Sequence, residues 1–325
     1  MPVLPTPVLA VLGTTAGWQA DWFQIMQSGF MRNALLGGTL VALASGLVGY
    51  FVVVRQSAFA AHALAHIGFP GATAAVLVGV PVMLGLSTFC ILGGLAIGLL
   101  GQRAARREVA TGTVLSLATA LGVLFNSLAS RSTSTVTSVL FGNLLAITRD
   151  QLAVFAVFTA LLALGVGIVA RPLTFASVDP QVAQARGVPV RALGIVFVVL
   201  LALAVTMAVQ VVGTLLLFAL VVTPSATALL LTPRPGRVMA LGALLAAGAV
   251  WVGLTLSAMF NLPPSFFIVA VAVVTWLVTL VLTRDRHRSA GSAPGEDVDR
   301  HHHQDPHRDA HHQHAHHQAG GRAVV

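Results

Sequence analysis

Between Met31 and Leu282 the sequence repeats one pattern: an apolar run of about 20 residues with almost no charge inside it, then a short polar break. A run of that length matches the hydrocarbon thickness of a bilayer. In lipid each backbone N–H and C=O must find its partner within the segment, so each run is expected to be an α-helix. The shorter alternating segments of a transmembrane β-barrel do not occur in the sequence. The expected fold class is therefore all-α, a polytopic transmembrane helical bundle of about eight to nine spans. Composition agrees, since 56% hydrophobic and 9% charged residues lie far from the balance of a soluble domain.

The spans are expected at Met31 to Val54, Ala58 to Val80, Val82 to Gly101, Val109 to Leu128, Leu152 to Ala170, Ala192 to Val212, Thr214 to Leu231, Val238 to Phe260 and Ser265 to Leu282. Three parts follow: an interfacial lead-in at 1–29, a membrane domain at 30–283 and a polar tail at 284–325. The lead-in holds Trp18, Trp22 and Phe23 but not the basic start and apolar core of a cleaved signal peptide.

The positive charge comes entirely from arginine, and most of the arginines fall between apolar runs or after the last one. Arg55, then Arg103, Arg106 and Arg107, then Arg171, Arg186 and Arg191, then Arg234 and Arg237, then Arg284 onward all reach one side when crossings are counted. That is the pattern of the positive-inside rule for a membrane protein, not of a nucleic-acid groove. It places the tail in the cytoplasm and the N-terminus outside, with Arg131 and Arg149 as exceptions that leave room for one re-entrant segment. The lone Cys90 sits inside an apolar run, where an intrachain disulfide is impossible and a packing role is expected.

Chemistry concentrates in the second run, Ser57-Ala58-Phe59-Ala60-Ala61-His62-Ala63-Leu64-Ala65-His66-Ile67-Gly68-Phe69-Pro70-Gly71. Histidines four apart share one helix face, and neutral imidazole suits zinc, copper, iron or nickel. An ionisable pair in so apolar a span reads as a metal pathway, whereas a single buried histidine would read as packing. Gly68, Pro70 and Gly71 are expected to weaken or kink the helix beyond it. Before the tail the only carboxylates are Asp21, Glu108, Asp150 and Asp179, all near predicted ends or loops. A secondary transporter coupled to protons would need such groups inside the bundle. With no lysine in the chain there is no phosphate-binding G-x-x-x-x-G-K-S/T loop, and no protease or hydrolase motif occurs either. The chain is thus expected not to be an enzyme, with any ATP hydrolysed by a separate subunit.

After the fifth run, Val178-Asp179-Pro180-Gln181-Val182-Ala183-Gln184-Ala185-Arg186-Gly187 carries an N-cap, a proline at the first helical position and a glycine stop. A short cytoplasmic surface helix is expected there, with the shape of a docking element through Val178, Asp179, Pro180, Val182, Ala185, Arg186 and Gly187. The tail turns polar and histidine-rich, with His301, His302, His303, His307, His311, His312, His314, His316 and His317. Its composition predicts disorder and loose metal binding.

Three ordered segments carry a family resemblance: Phe51 to Arg55 followed by His62 to His66; Leu140-Phe141-Gly142-Asn143-Leu144-Leu145-Ala146; and Gly213 to Leu216 running on through Val222-Thr223-Pro224-Ser225 to Ala228. Over about residues 30 to 283 the chain resembles the permease subunits of bacterial zinc, manganese and iron ABC importers, closest in type to the high-affinity zinc-uptake permease. The resemblance implies a dimer of permeases, cytosolic ATP-binding subunits and an extracytoplasmic metal-binding protein, with the loop from Val178 to Gly187 as the coupling helix. No tightly bound cofactor is expected, only the transported ion. At His62 many family members carry aspartate, and aspartate is likewise common where Asn143 stands. Imidazole in place of carboxylate points to zinc, with manganese or iron, or a secondary zinc transporter, as the alternatives.

Overall fold

The computed structural model describes residues 25–100, 104–128 and 138–290. It divides into two units, 1–285 and 286–325. All the packing below belongs to the first; in the second, residues 286–290 are helical. The tail histidines, and most of the lead-in, lie outside the described residues.

Ten helices follow one another among the described residues: α1 Gly29–Val54, α2 Ala58–Val78, α3 Val82–Leu100, α4 Ala104–Leu128, α5 Arg149–Val178, α6 Pro180–Ala185, α7 Val190–Val221, α8 Thr223–Leu231, α9 Pro235–Phe260 and α10 Pro264–Ala290. A single 3₁₀ turn, Leu144–Ala146, interrupts the segment between α4 and α5, and no strand occurs among the described residues. Eight helices are long and apolar enough to cross a membrane: α1 to α5, α7 as far as Thr214, α9, and α10 as far as Thr283.

The centre is built from α1, α2 and α7, the most enclosed of the eight. Helix α1 packs on α9, α5 and α7, while α2 packs on α3, α4 and α7. Small residues bring these backbones together, as expected where lipid supplies no hydrophobic drive for helix association. A Cβ on Gly46 would strike the Ala243 backbone of α9, and one on Gly71 would strike the Gly85 carbonyl of α3. Polar side chains add interhelical bonds. Trp251 donates its indole N–H to the Thr39 hydroxyl at 2.9 Å, tying α9 to α1, and Asn33 donates to the Ile147 carbonyl at 3.2 Å. Outer helices turn large apolar groups away from the bundle, among them Leu117 and Val123 on α4, Leu164 and Ile168 on α5, and Val274 and Val281 on α10. Lipid accommodates such surfaces, and water would not.

Two expectations need correction. The seventh apolar run, Thr214 to Leu231, is not a full span: at Gly213 the backbone leaves the helix, with φ 80° and ψ 172°, and the apolar helix beyond it, Leu216–Leu231, is too short. At about 1.5 Å per residue it falls several Å short of a ~30 Å core. It still carries the chain back. Gly213 lies against Leu140 and Gly142, near the end of the bundle where Gly38 of α1 meets Leu144, whereas Ser225 lies against Gly49, much further along α1 and close to Arg55. Eight long helices and one short, broken return therefore account for the alternation of charge. The fifth span also does not end at Ala170, because α5 stays helical to Val178 with Pro172 inside it. Its N-terminus is fixed by a capping box between Thr148 and Gln151. The loop expected from Arg171 therefore starts only at Asp179, at the end of a helix of about 45 Å.

Candidate metal-pathway site

Helix α2 has two unlike faces. Leu64, Ile67, Gly68, Gly71 and Ala75 recur at helical spacing and are buried against α3, where Gly71 meets Gly85, Gly68 meets Cys90 and Leu86, and Ile67 meets Gly93. Cys90 is buried, reduced and bonded through its thiol to the Leu64 carbonyl at 3.3 Å, so it serves packing as expected. His62 and His66 project from the opposite side of the helix, both half-buried. Their rings stand 4.7 Å apart between centroids at 77°, edge to face. One turn on, Phe69 and Pro70 rest on Gly122 of α4.

The expected weakening of α2 takes a mild form, since the helix runs through Pro70 to Val78 and ends at Gly79 with φ 81°. Proline has no N–H, so the His66 carbonyl, on the turn that carries the imidazole, lacks the usual helical donor four residues on. Thr73 donates to the Pro70 carbonyl at 3.0 Å, which holds the turn beyond it. Among the described residues no group of three or more His, Cys, Asp and Glu side chains is placed to hold a metal. The two imidazoles make a half-site.

The short helix after α5 is built as its sequence predicts. Asp179 accepts from the Gln181 and Val182 amides at 3.1 and 2.9 Å, Pro180 opens α6, and Gly187 closes it with φ 79°. The closing bonds run from the Gly187 amide to the Gln184 carbonyl and from the Val188 amide to the Ala183 carbonyl. This paired closure is the Schellman arrangement, which needs the left-handed residue that glycine supplies. Ala183 is the buried anchor, and Val178, Val182, Ala185 and Arg186 face outward.

Two features of the site region escape sequence reasoning. Arg55, the C-cap of α1, donates from Nη1 to the Ser177 hydroxyl at 3.1 Å, and its guanidinium lies 5.1 Å from the centre of the Phe197 ring. The corner leading into the histidine helix is thus tied to the last turn of α5, just before α6. At the other end the break at Gly213 is sealed by the outer segment. The Asn143 amide donates to the Gln210 carbonyl at 3.0 Å, the acceptor that the interrupted helix leaves open. Asn143 thereby works through its backbone. A separation of 122 residues between Arg55 and Ser177 leaves no local signal, and Gly213 is one glycine among many.

Similar proteins share this architecture. The chain is 32% identical over 258 residues to the manganese transport system membrane protein MntC of Listeria innocua, covering 79% of this chain and 92% of that one. It is 30% identical over 254 residues to the manganese import system permease protein ScaB of Streptococcus gordonii, covering 78% and 91%. Among solved structures, PsaBC from Streptococcus pneumoniae in complex with Fab superposes with a TM-score of 0.72 at 28% identity, over 80% of this chain and 95% of that one. An inward-facing putative metal-chelate type ABC transporter shares the fold with a TM-score of 0.61 at 18% identity, over 77% and 85%. The model of the ABC 3 transport family matches residues 27–283, almost the whole helical bundle, and the chain belongs to that family as a metal-ion transporter permease.

Proposed function

We propose that this chain passes manganese(II) into the cytoplasm as the membrane-spanning subunit of an ATP-driven importer, with His62 and His66 on the ion's path. The observation that carries the pathway is the imidazole pair itself, 4.7 Å apart on a half-buried face of an otherwise apolar helix. The choice of ion follows the relatives, whose names describe manganese transport. This replaces the zinc expectation as the first reading. Zinc stays as the second, because two nitrogen donors that no described carboxylate joins in a group of three are a softer set than manganese ordinarily selects.

In this reading a half-site suits an ion in transit, since two donors hold it less firmly than a closed tetrahedral set. A second copy of the chain would bring a second imidazole pair, and an extracytoplasmic metal-binding protein would deliver the ion. Helix α6 would seat in a cytosolic ATP-binding subunit through exposed residues that include Val178, Val182 and Arg186. The arginine pattern supports a cytoplasmic location for the Arg55 end and for the tail.

The test is ion uptake by the complex reconstituted with its ATP-binding and delivery subunits, together with ion-stimulated ATPase activity. Manganese is expected to stimulate both, with His62→Ala and His66→Ala each losing uptake while still assembling. Zinc stimulation without manganese stimulation would move the ion to the second reading. Undiminished uptake in both variants would sink the pathway.

A further inference from the structure

Helix α4 carries a polar stripe within a membrane span. Glu108, Gly112, Ser116 and Thr119 recur at helical spacing and share one face, where the Glu108, Ser116 and Thr119 side chains are exposed and a Cβ on Gly112 would meet nothing within 4 Å. Ser116 donates its hydroxyl to the Gly112 carbonyl at 2.9 Å, and Thr119 to the Leu115 carbonyl at 2.8 Å. With the proton turned inward, each hydroxyl presents oxygen lone pairs outward.

Two contacts fix where that face lies. Gly122 of α4 sits against the Phe69 ring and Pro70 of α2, and Phe125 meets edge-on Phe89 of α3, whose Cβ abuts Gly71 of α2. From Gly122 to Phe125 the contacts thus move up α2 from Phe69 to Gly71, so α2 and α4 run in the same direction. One turn back on both helices brings Thr119 level with His66, and the next brings Ser116 level with His62. Around α4 the order is Phe125 at the α3 contact, Gly122 at the α2 contact, then Thr119, Gly112 and Ser116, while Leu117 and Leu124 lie on the other flank, beyond α3. On α2, His62 and His66 share a face with Phe69. Hydroxyls and imidazoles therefore border one groove between α2 and α4.

We propose that this face of α4 is the oxygen-donor wall of the ion's route from the imidazole pair to the cytoplasmic end, with Thr119 and Ser116 beside the histidines and Glu108 at the exit. The inference rests on the reading of His62 and His66 as the ion's path. A hydrated divalent cation points water protons outward, and the hydroxyl lone pairs accept them. Glu108 stands about 12 Å further on, at the arginine-rich end of the span, and supplies a carboxylate oxygen there. Above Thr119 the stripe turns apolar at Val123, so the wall serves the inner part of the route. Oxygen donors suit manganese better than imidazole does, so the wall supplies the hardness that the histidine pair lacks.

The experiment measures manganese and zinc uptake by the complex reconstituted with its ATP-binding and delivery subunits. The variants are Ser116→Ala combined with Thr119→Val, Glu108→Gln, and Thr88→Val as control. Thr88 is also an exposed hydroxyl, bonded to the Leu84 carbonyl at 2.7 Å, but it stands on α3 outside the groove. The double variant and Glu108→Gln are each expected to lower vmax/KM for manganese about tenfold and for zinc less than about threefold, with the control unchanged. A second arm labels Ser116→Cys, Thr119→Cys and Thr88→Cys with a charged thiol reagent. The one native cysteine, Cys90, is buried, so the unsubstituted chain sets the background. The first two are expected to react faster than Thr88→Cys and to be slowed by manganese, and this arm carries the test if the double variant fails to assemble. Equal loss for both ions with slow labelling at all three positions would mark a packing face and overturn the wall. Unchanged uptake of both ions, while His62→Ala and His66→Ala lose it, would overturn the wall alone. Uptake that survives the histidine variants would overturn the pathway and the wall with it.

Discussion

Replacing Gly213 by alanine tests the break in α7 and the outer segment that closes it. The residue sits at φ 80° and ψ 172°, a region that essentially only glycine occupies, so the backbone cost alone is about 1–3 kcal/mol. A Cβ there would also run into the Leu140 carbonyl and the Gly142 amide, backbone atoms that a side-chain rotation cannot move aside. Pushing the 140–143 strip away breaks the bond from the Asn143 amide to the Gln210 carbonyl. A buried carbonyl left without a partner costs roughly a further 1–3 kcal/mol. The expected total is about 2–6 kcal/mol, large against the usual effect of one substitution. Thermal denaturation in detergent, followed by tryptophan fluorescence and by retention of the folded species on gel filtration, measures it. Gly167→Ala is the control, since a Cβ there meets nothing within 4 Å and the residue lies in the regular helix α5. If Gly213→Ala melts together with the wild type and the control, the break does not need glycine and the account of the outer seal is wrong.

Gly71→Val should destabilise the chain by about 1–3 kcal/mol in the same melting assay, because the added atoms meet the Gly85 carbonyl, whereas Gly112→Ala, with open space around it, should not. Asp179→Ala removes both bonds that hold the start of α6 and should cost about 1 kcal/mol locally. In the reconstituted complex this should lower ion transported per ATP hydrolysed with little change in the melting of the bundle, and unchanged coupling would remove the docking role. Trp251→Phe deletes the indole bond to Thr39 and should weaken the α1–α9 contact by about 0.6 kcal/mol, read as a small shift in denaturant midpoint.

The spans were legible because lipid enforces them: a charge-free run of about 20 residues has few alternatives to a spanning helix. The same rule misjudged Thr214 to Leu231, whose composition is that of a span but whose chain turns at Gly213 and does not reach across by itself. It also stopped α5 too early, because Arg171 and Pro172 look like an end while the helix continues to Val178. Helix α6 was legible almost to the residue, since its cap, proline and glycine act locally. The histidine spacing was legible for the same reason. The surroundings of that pair were not, because they depend on how α2, α3 and α4 pack.

By itself the sequence determined a helical membrane protein, the sidedness pattern of its arginines, the imidazole pair on one face of α2 and the capped short helix after α5. The spans, the imidazole pair and the capped helix follow from residues within a few turns of one another, where hydropathy, helical period and hydrogen-bond capping act, and the sidedness follows from counting those spans. Only the tertiary structure decided that the seventh run is a short broken return, that Asn143 acts through its amide, and that Arg55 joins Ser177, Phe197 and the first turns of α7. Those contacts join residues far apart in the chain, and they exist because close helix packing brings distant backbones and polar groups to the same depth.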